Sequence, residues 1–362
     1  MVMPLAFLSA LSLVLQFDGS HRPPKDFGFP TDSMRKLPSC SSAILADGDE
    51  KVLALGGKLI SLNMGMTSAD AEYDGLLVGL EWLGSQDEDW WTQHATSKTL
   101  TIRGDNKAII DQLRGSALPR KLNEKHQNGQ QILETINKHF TTFSYQHVLR
   151  NQNALCDAVC GDIIQLSVSR ILNTFQADVK ACTNASPDGE TDKRRRKATT
   201  SPLATIIQSY LNEASAIPHS IRPAILKQLI NKAETLTDGF ALVAIGDLLE
   251  AESKLWADCG SRVVAGSHCR ELLLVQGVQL QMKGWTLRRN EKEADKISRK
   301  HKFNLNKYGT MVTPTPVGVW PTMPQENSKD PAYVVWSARA EKMILQGPGD
   351  EQHNAIWVEG LV

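Results

Sequence analysis

Four acidic side chains occupy four different local contexts: Asp18 in LVLQFDGS, Glu72 in TSADAEYDGLLVGLEWL, Asp105 in LTIRGDNKAIIDQL and Asp157 in HVLRNQNALCDAV. Asp18 ends an apolar run with strand character. Glu72 opens an amphipathic helix. Asp105 ends a second strand just before a helix, and Asp157 lies inside a later helix. Carboxylates at strand ends and on facing helices can converge on one point, and convergent oxygen ligands bind hard divalent cations. The chemistry such a set supports is phosphodiester cleavage by a two-metal nuclease. Taken singly, each acid has a plainer role. Asp18 can cap a turn with Gly19, Glu72 can complement the helix dipole, Asp105 can cap the next helix, and Asp157 can be a surface helix residue.

The elements that must position these acids follow from periodicity. Leu11–Phe17 reads as a buried strand, and His21–Ser39, rich in Pro, Lys and Asp, as a long loop. Ser42–Ala46, then Val52–Leu55 with Gly57–Asn63, read as two strands joined through Asp47-Gly48-Asp49, a hairpin signal, with a bulge or bend at Gly56-Gly57. Thr67 or Ser68 can cap a helix in which Tyr73, Leu76, Leu77, Leu80 and Leu83 recur at helical spacing and which Gly84 ends. Leu100–Arg103 is the next strand, Asn106–Leu113 a short helix, Asn123–Phe140 a longer one, Thr142–Leu149 the last strand and Ala154–Leu166 the closing helix. The order β-β-β-α-β-α-α-β-α predicts an α/β fold: a mixed five-stranded sheet with helices on both faces.

The chain has 362 residues, 41% of them hydrophobic, and a formal net charge of zero. Zero net charge argues against a generic polyanion binder. It hides an asymmetry: residues 1–165 hold 15 Lys and Arg against 19 Asp and Glu, and the remainder 25 against 21. In the acidic half, nucleic acid must be held by local Arg and Lys and by metals. Six cysteines, Cys40, Cys156, Cys160, Cys182, Cys259 and Cys269, form no CxxC pair. They read as free thiols packed as small apolar groups, which fits a reducing compartment. The apolar start, MVMPLAFLSALSLVLQ, has no basic leader residues and no clear small-residue cleavage site before Gln16. It is also short for a membrane span. The expectation is an intracellular protein of nucleus or cytoplasm without membrane association, organelle targeting being left open.

Beyond residue 170 the character changes. Residues 169–201 read as a polar linker carrying Lys193-Arg194-Arg195-Arg196-Lys197, either a solvated charge cluster or a nuclear-localisation or phosphate-binding patch. Residues 202–307 read as a helical domain with apolar stripes at Ile206, Ile207, Tyr210 and Leu211 and at Ile225, Leu226, Leu229 and Ile230, then Phe240–Trp256 and Ser261–Trp285. No clean 34-residue period is visible, so a plain helical bundle is expected rather than a repeat array. The tail, 308–362, with Pro314, Pro316, Pro321 and Pro324, reads as irregular, with Trp320, Trp336 and Trp357 available to dock on the body.

Residues 11–168 resemble the ribonuclease H superfamily, nearest to the reverse-transcriptase-like ribonuclease H domains common in plants. The resemblance rests on four stretches in the family's order: Phe17-Asp18-Gly19-Ser20, Ala71-Glu72, Gly104-Asp105-Asn106 and Asn153-Ala154-Leu155-Cys156-Asp157-Ala158. It implies a ribonuclease H-like sheet, and two Mg²⁺ ions, with Mn²⁺ as a substitute, held by Asp18, Glu72, Asp105 and Asp157, with Asp18 as the bridging ligand. It implies hydrolysis of the RNA strand of RNA–DNA hybrids, read by helix shape and 2′-hydroxyls. Clustered carboxylates repel one another without cations, so the set makes sense only with metal. Gly19, Ser20, Asn106, Arg150, Asn151 and Gln152 are the candidate substrate contacts; Lys107, Arg114, Arg120 and Lys121 are as readily ordinary surface residues.

Two departures from the family matter. The glycine-rich turn after the first motif is replaced by His21-Arg22-Pro23-Pro24-Lys25-Asp26 and a longer insertion. The loop before Asp157 reads Arg150-Asn151-Gln152-Asn153, without the His of bacterial-type enzymes, as in many plant-type members. That predicts a slower enzyme. His147 falls within the predicted strand and is given no catalytic role. The alternative is a catalytically weak or inactive module on the same fold that binds nucleic acid, an RNA–DNA hybrid or structured RNA, or a protein partner through its helical half.

Overall fold

A computed structural model describes residues 12–21, 39–61, 67–94, 99–119, 122–184, 201–212, 222–257, 269–309, 330–346 and 355–359. The Pro-rich loop, Arg120, Lys121, the basic run 193–197 and Trp320 lie outside the described residues. The described residues divide into two compact units: one holds those between 12 and 170 together with those after 321, the other those of 171–309.

The first unit is built on a mixed sheet of six strands: β1 (Ser12–His21), β2 (Ser39–Ala46), β3 (Val52–Ser61), β4 (Thr99–Gly104), β5 (Thr142–His147) and β6 (Ile356–Glu359), in the order β5-β4-β1-β2-β3-β6. β1, β2, β3 and β6 pair antiparallel in turn, whereas β4 runs parallel to β1 and to β5. Strand alternation sorts the two faces. Leu13, Leu15 and Phe17 of β1, with Ala43, Leu45 and Ala54, pack against Tyr73, Leu76, Leu80 and Leu83 of α1 (Ser68–Gly84). Ile109 and Ile110 of α3 (Lys107–Leu113) and Leu133 of α4 (Asn123–Ile136) complete that core. Each buried Leu or Phe contributes roughly 1.5–3 kcal/mol. The opposite face receives α5 (Ala154–Asn184), where the Ser42 hydroxyl donates to the Cys156 carbonyl at 2.9 Å and the Cys40 thiol to the Cys160 carbonyl at 3.1 Å. Cys40, Cys156 and Cys160 are free and buried.

The starts of α1 and α3 are set locally. Thr67 Oγ1 accepts from the Asp70 amide at 3.2 Å and Asp70 Oδ2 accepts from the Thr67 amide at 2.9 Å, a reciprocal capping box. Asn106 Oδ1 caps α3 by accepting from the Ala108 and Ile109 amides at 3.1 and 3.4 Å.

Several elements differ from expectation. β1 runs on to His21, so Asp18 sits within the strand; β2, which starts at Ser39, supplies antiparallel partners as far as His21↔Ser39. β3 is continuous through Gly56-Gly57, which stay in register with Ala43 and Ser42; the irregularities fall at Ser39/Cys40 and Leu45/Ala46. The Asp47 turn takes its positive φ at Glu50 (63°), with Asp47 Oδ1 accepting from the Asp49 and Lys51 amides. A short helix, α2 (Glu88–His94), buries Trp91. The closing helix, expected to end at Leu166, continues to Asn184.

The sixth strand and the helix α12 (Pro331–Gln346) come from the tail expected to be irregular. Trp357 stacks on Trp82 of α1 with ring centroids 4.9 Å apart, and a Cβ at Gly56 would overlap its ring. Trp336 is fully buried and donates from Nε1 to the Ile356 carbonyl at 3.1 Å. Tyr333 donates to the buried Asp162 of α5. Burial of apolar aromatic area and pairing of the β3 edge hold these two elements; Pro314, Pro316, Pro321 and Pro324 lie outside the described residues.

The second unit is helical: α6 (Pro202–Asn212), α7 (Arg222–Ala233), α8 (Gly239–Ala257), α9 (Cys269–Leu287), α10 (Glu291–Lys300) and α11 (Lys302–Tyr308). α8 and α9 approach backbone to backbone, because a Cβ at Gly246 would fall 2.5 Å from the Gly277 carbonyl oxygen and one at Gly284 2.6 Å from that of Gly239. No helix among the described residues is long and apolar enough to cross a membrane.

Candidate metal centre

Two strand ends and one helix start build the centre. β1 and β4 run parallel with Gln16 beside Arg103. Two residues further along each strand direction stand Asp18 and Asp105. β4 ends at Gly104 while β1 continues to His21, so the β4 side of Asp18 is open to other groups. The first two turns of α1 reach it because of two glycines: a Cβ at Gly19 would overlap the backbone of Ala71 and Glu72, and one at Gly75 would overlap the carbonyl of Asp18.

The result is one acidic group. Carboxylate oxygens of Asp18, Glu72 and Asp105 all lie within 4.8 Å of one another. Asp18 and Glu72 are buried and Asp105 half-buried. Asp18 Oδ1 accepts from the Gly19 amide at 2.9 Å. Three oxygen donors from three separate elements, two of them buried, fit a hard divalent cation, whose charge offsets their mutual repulsion.

Asp157 is placed differently. It lies in the first turn of α5 outside this group of three, and Oδ1 accepts from Arg150 Nη2 at 3.2 Å. Gly19 and Ser20 are buried within β1. Asn106 uses its side-chain oxygen as the α3 cap, which leaves its NH₂ for any other partner. Asn151 is exposed, and Gln152 Oε1 accepts from the Leu149 amide at 2.9 Å. Arg114 donates twice to the Tyr145 carbonyl at the sheet edge, at 3.1 and 2.6 Å, while Lys107 is exposed on α3.

Three supporting residues escaped the sequence reading. Asn153, fully buried ahead of α5, donates from Nδ2 to the Phe17 carbonyl at 3.0 Å and to Asp105 Oδ1 at 3.5 Å. Gln16 Nε2 donates to Asn153 Oδ1 at 2.7 Å and to the Gln152 carbonyl at 2.9 Å. A Gln in the middle of an apolar strand was the available signal, because a polar group inside a buried strand needs a partner. Gly75 is the third, and nothing in its local sequence marks it. His147, given no catalytic role, donates from Nε2 to the Asp105 carbonyl at 3.1 Å, which fixes the ring's protonated nitrogen. Burial first, then the negative charge of Asp18, pushes the Cys156 thiol well above its ordinary range, so it stays protonated beside the acids.

Tyr73 and Lys125 tie down the turn that carries Glu72. Tyr73 donates to Gln112 Oε1 at 2.6 Å, and Lys125 Nζ of α4 meets Asp74 Oδ1 at 2.8 Å and the Asp70 carbonyl at 3.0 Å.

Residues 31–162 match the family described as Reverse transcriptase-like. The match spans Glu72, Asp105 and Asp157 and begins after Asp18. Among solved structures, the chain is similar to RNase H1 from the halophilic archaeon Halobacterium salinarum NRC-1, at 25% identity over 42% of this chain and 96% of that one, with a TM-score of 0.31. It is also similar to the N-terminal RNase H domain of a Mycobacterium tuberculosis protein fused to maltose binding protein, at 22% identity over 42% and 92%, with a TM-score of 0.31. A third likeness is to LC11-RNase H1, isolated from compost by a metagenomic approach, at 20% identity over 41% and 91%, with a TM-score of 0.30. No curated protein matches.

Proposed function

We propose that the ribonuclease H-like domain is an endonuclease that hydrolyses the RNA strand of RNA–DNA hybrids with two Mg²⁺ ions, Mn²⁺ serving as a substitute. The observation that carries this reading is the convergence of Asp18, Glu72 and Asp105 within 4.8 Å. Asp18, Glu72 and Asp105 would hold the cations, with Asp157 contributing from the start of α5. Bound there, divalent cations supply Lewis acidity and lower the pKa of water at neutral pH. The chain's own residues supply position. Asn153 keeps the Asp105 carboxylate turned toward β1, His147 holds the Asp105 backbone, and the Gly19–Gly75 crossing keeps Glu72 against Asp18. Arg150, exposed beside Asp157, would meet a phosphate.

The test is cleavage of a labelled hybrid by the full chain in Mg²⁺ and in Mn²⁺, with Asp105→Asn as the inactive control. A hybrid left intact in both metals overturns the reading. One observation favours a second reading, binding without turnover: Asp157 stands outside the three-carboxylate group and pairs with Arg150. That version predicts hybrid binding with no cleavage.

A further inference from the structure

The ribonuclease H-like half of the chain is the acidic half, yet its proposed substrate is a polyanion. The positive charge lies elsewhere. Residues 283–307, from the last turn of α9 through α10 and α11, hold nine Lys and Arg against three Asp and Glu, whereas residues 1–165 hold 15 against 19.

The structure sorts these charges by face. At 100° per residue, Lys292, Lys296 and Arg299 of α10 fall within about 60° of one another, in a single row along the helix. All three are exposed, while Ala294 on the other side is buried and Ile297 half-buried. α11 has the same polarity. Tyr308 packs with Leu272 and Val275 of α9, joined by Leu305, whereas Lys302, Phe303 and Lys307 face outward. Phe303 is 73% exposed, with Lys307 Nζ 5.8 Å from its ring centroid. The ion pairs on this face, Lys296 with Glu293 at 3.5 Å and Arg299 with Asp295 at 3.0 Å, are exposed and one helical turn apart, so they yield readily to a stronger anion. Arg288 is engaged otherwise, with its guanidinium 3.8 Å from the Phe240 ring centroid and 4.1 Å from that of Trp285.

Exposed cations in a row on one helix and an outward aromatic ring with a lysine near it on the next are groups that can hold a nucleic-acid strand, with phosphates along the row and a base against the ring. A protein partner fits less well, because interface cores are depleted of charge and this face offers one large apolar side chain. We propose that the α10–α11 face is a second nucleic-acid site of this chain, which grips single-stranded RNA. The inference rests on the reading of the first unit as a nuclease for RNA–DNA hybrids: the helical unit would hold RNA that the acidic domain attracts poorly.

The experiment uses the full chain in EDTA, where cleavage cannot occur. Anisotropy of a fluorescein-labelled oligoribonucleotide, and of the same strand in a DNA hybrid, is followed across a salt series. The variant Lys292→Gln/Lys296→Gln/Arg299→Gln keeps helix propensity. Its RNA affinity should fall about tenfold or more, and its salt slope should become shallower by roughly 2–3. Phe303→Ala should weaken single-stranded RNA more than hybrid. Unchanged affinity and slope in a triple variant that melts like the wild type overturns the proposal. So does wild-type binding to phosphatidylserine vesicles with none to RNA, or equal losses for RNA and hybrid in Phe303→Ala. A wild-type chain that binds RNA in EDTA but leaves hybrids intact in Mg²⁺ and Mn²⁺ would sink the nuclease reading and leave this one standing.

Discussion

Asn153 holds Asp105 across a helix–strand boundary: its amide nitrogen lies 3.5 Å from the Asp105 carboxylate and 3.0 Å from the Phe17 carbonyl, while its oxygen accepts from Gln16 at 2.7 Å. One buried side chain therefore joins β1, the end of β4 and the approach to α5. The acids are not simply near one another; the direction of one is constrained by a fully buried side chain.

Asn153→Ala removes that joint. Leaving buried partners of a lost hydrogen bond unsatisfied costs roughly 1–3 kcal/mol. Urea denaturation should register a loss of that order, and calorimetry should show weaker Mn²⁺ binding. A variant as stable as the wild type with unchanged Mn²⁺ affinity would remove Asn153 from the account.

Three carboxylates within 4.8 Å repel one another when no cation is bound. Asp18→Asn, which keeps an oxygen for the Gly19 amide, should therefore melt higher than the wild type in EDTA. Mg²⁺ should stabilise the wild type by about 2.7 kcal/mol at a hundredfold excess over Kd, and leave Asp18→Asn almost unmoved. Scanning calorimetry with and without Mg²⁺ checks both; identical Mg²⁺ shifts in the two proteins would contradict the assignment.

Trp357 ties the sixth strand to α1 through Trp82 and lies over Gly56. Its ring is half-buried, so Trp357→Ala should cost about 2–3 kcal/mol, below the ~3–5 of a fully buried aromatic. Urea denaturation measures it. No change in stability would mean that the tail merely rests on the sheet.

Asp162 is buried, accepts from Tyr333, and has a second oxygen, Oδ1, without a hydrogen bond. Burial raises its pKa above the ordinary 3.8, and the Tyr333 bond only partly counters that. A raised carboxylate pKa means that the folded state holds its proton longer than the unfolded chain does. The pair is then least costly below 3.8, and stability is lost as pH rises from there through the folded pKa. Asp162→Asn should match the wild type near pH 3.8 and exceed it at neutral pH, by about 2–4 °C in Tm if the difference is ~1 kcal/mol. A stability difference independent of pH would refute this.

Much of the centre was legible from neighbours in sequence. The capping signal at Thr67 places Glu72 near the start of α1, and the apolar runs place Asp18 and Asp105 at the ends of two strands. The same local logic stopped β1 too early, because only its pairing with Ser39–Ser42 carries it on to His21. It also treated Asp157 as equal to the other three acids, whereas the Arg150 pair and the group of three separate them.

Alternation, capping and helical spacing depend on residues a few places apart, so the sequence by itself determined most elements of the first unit and which acids they carry. The tertiary structure decided the rest: the glycine crossing that brings Glu72 to Asp18, the Gln16–Asn153 joint 137 residues apart, and the tail's return as a sixth strand. Each depends on shape and hydrogen-bond partners that meet only after the chain folds, and no local pattern encodes them.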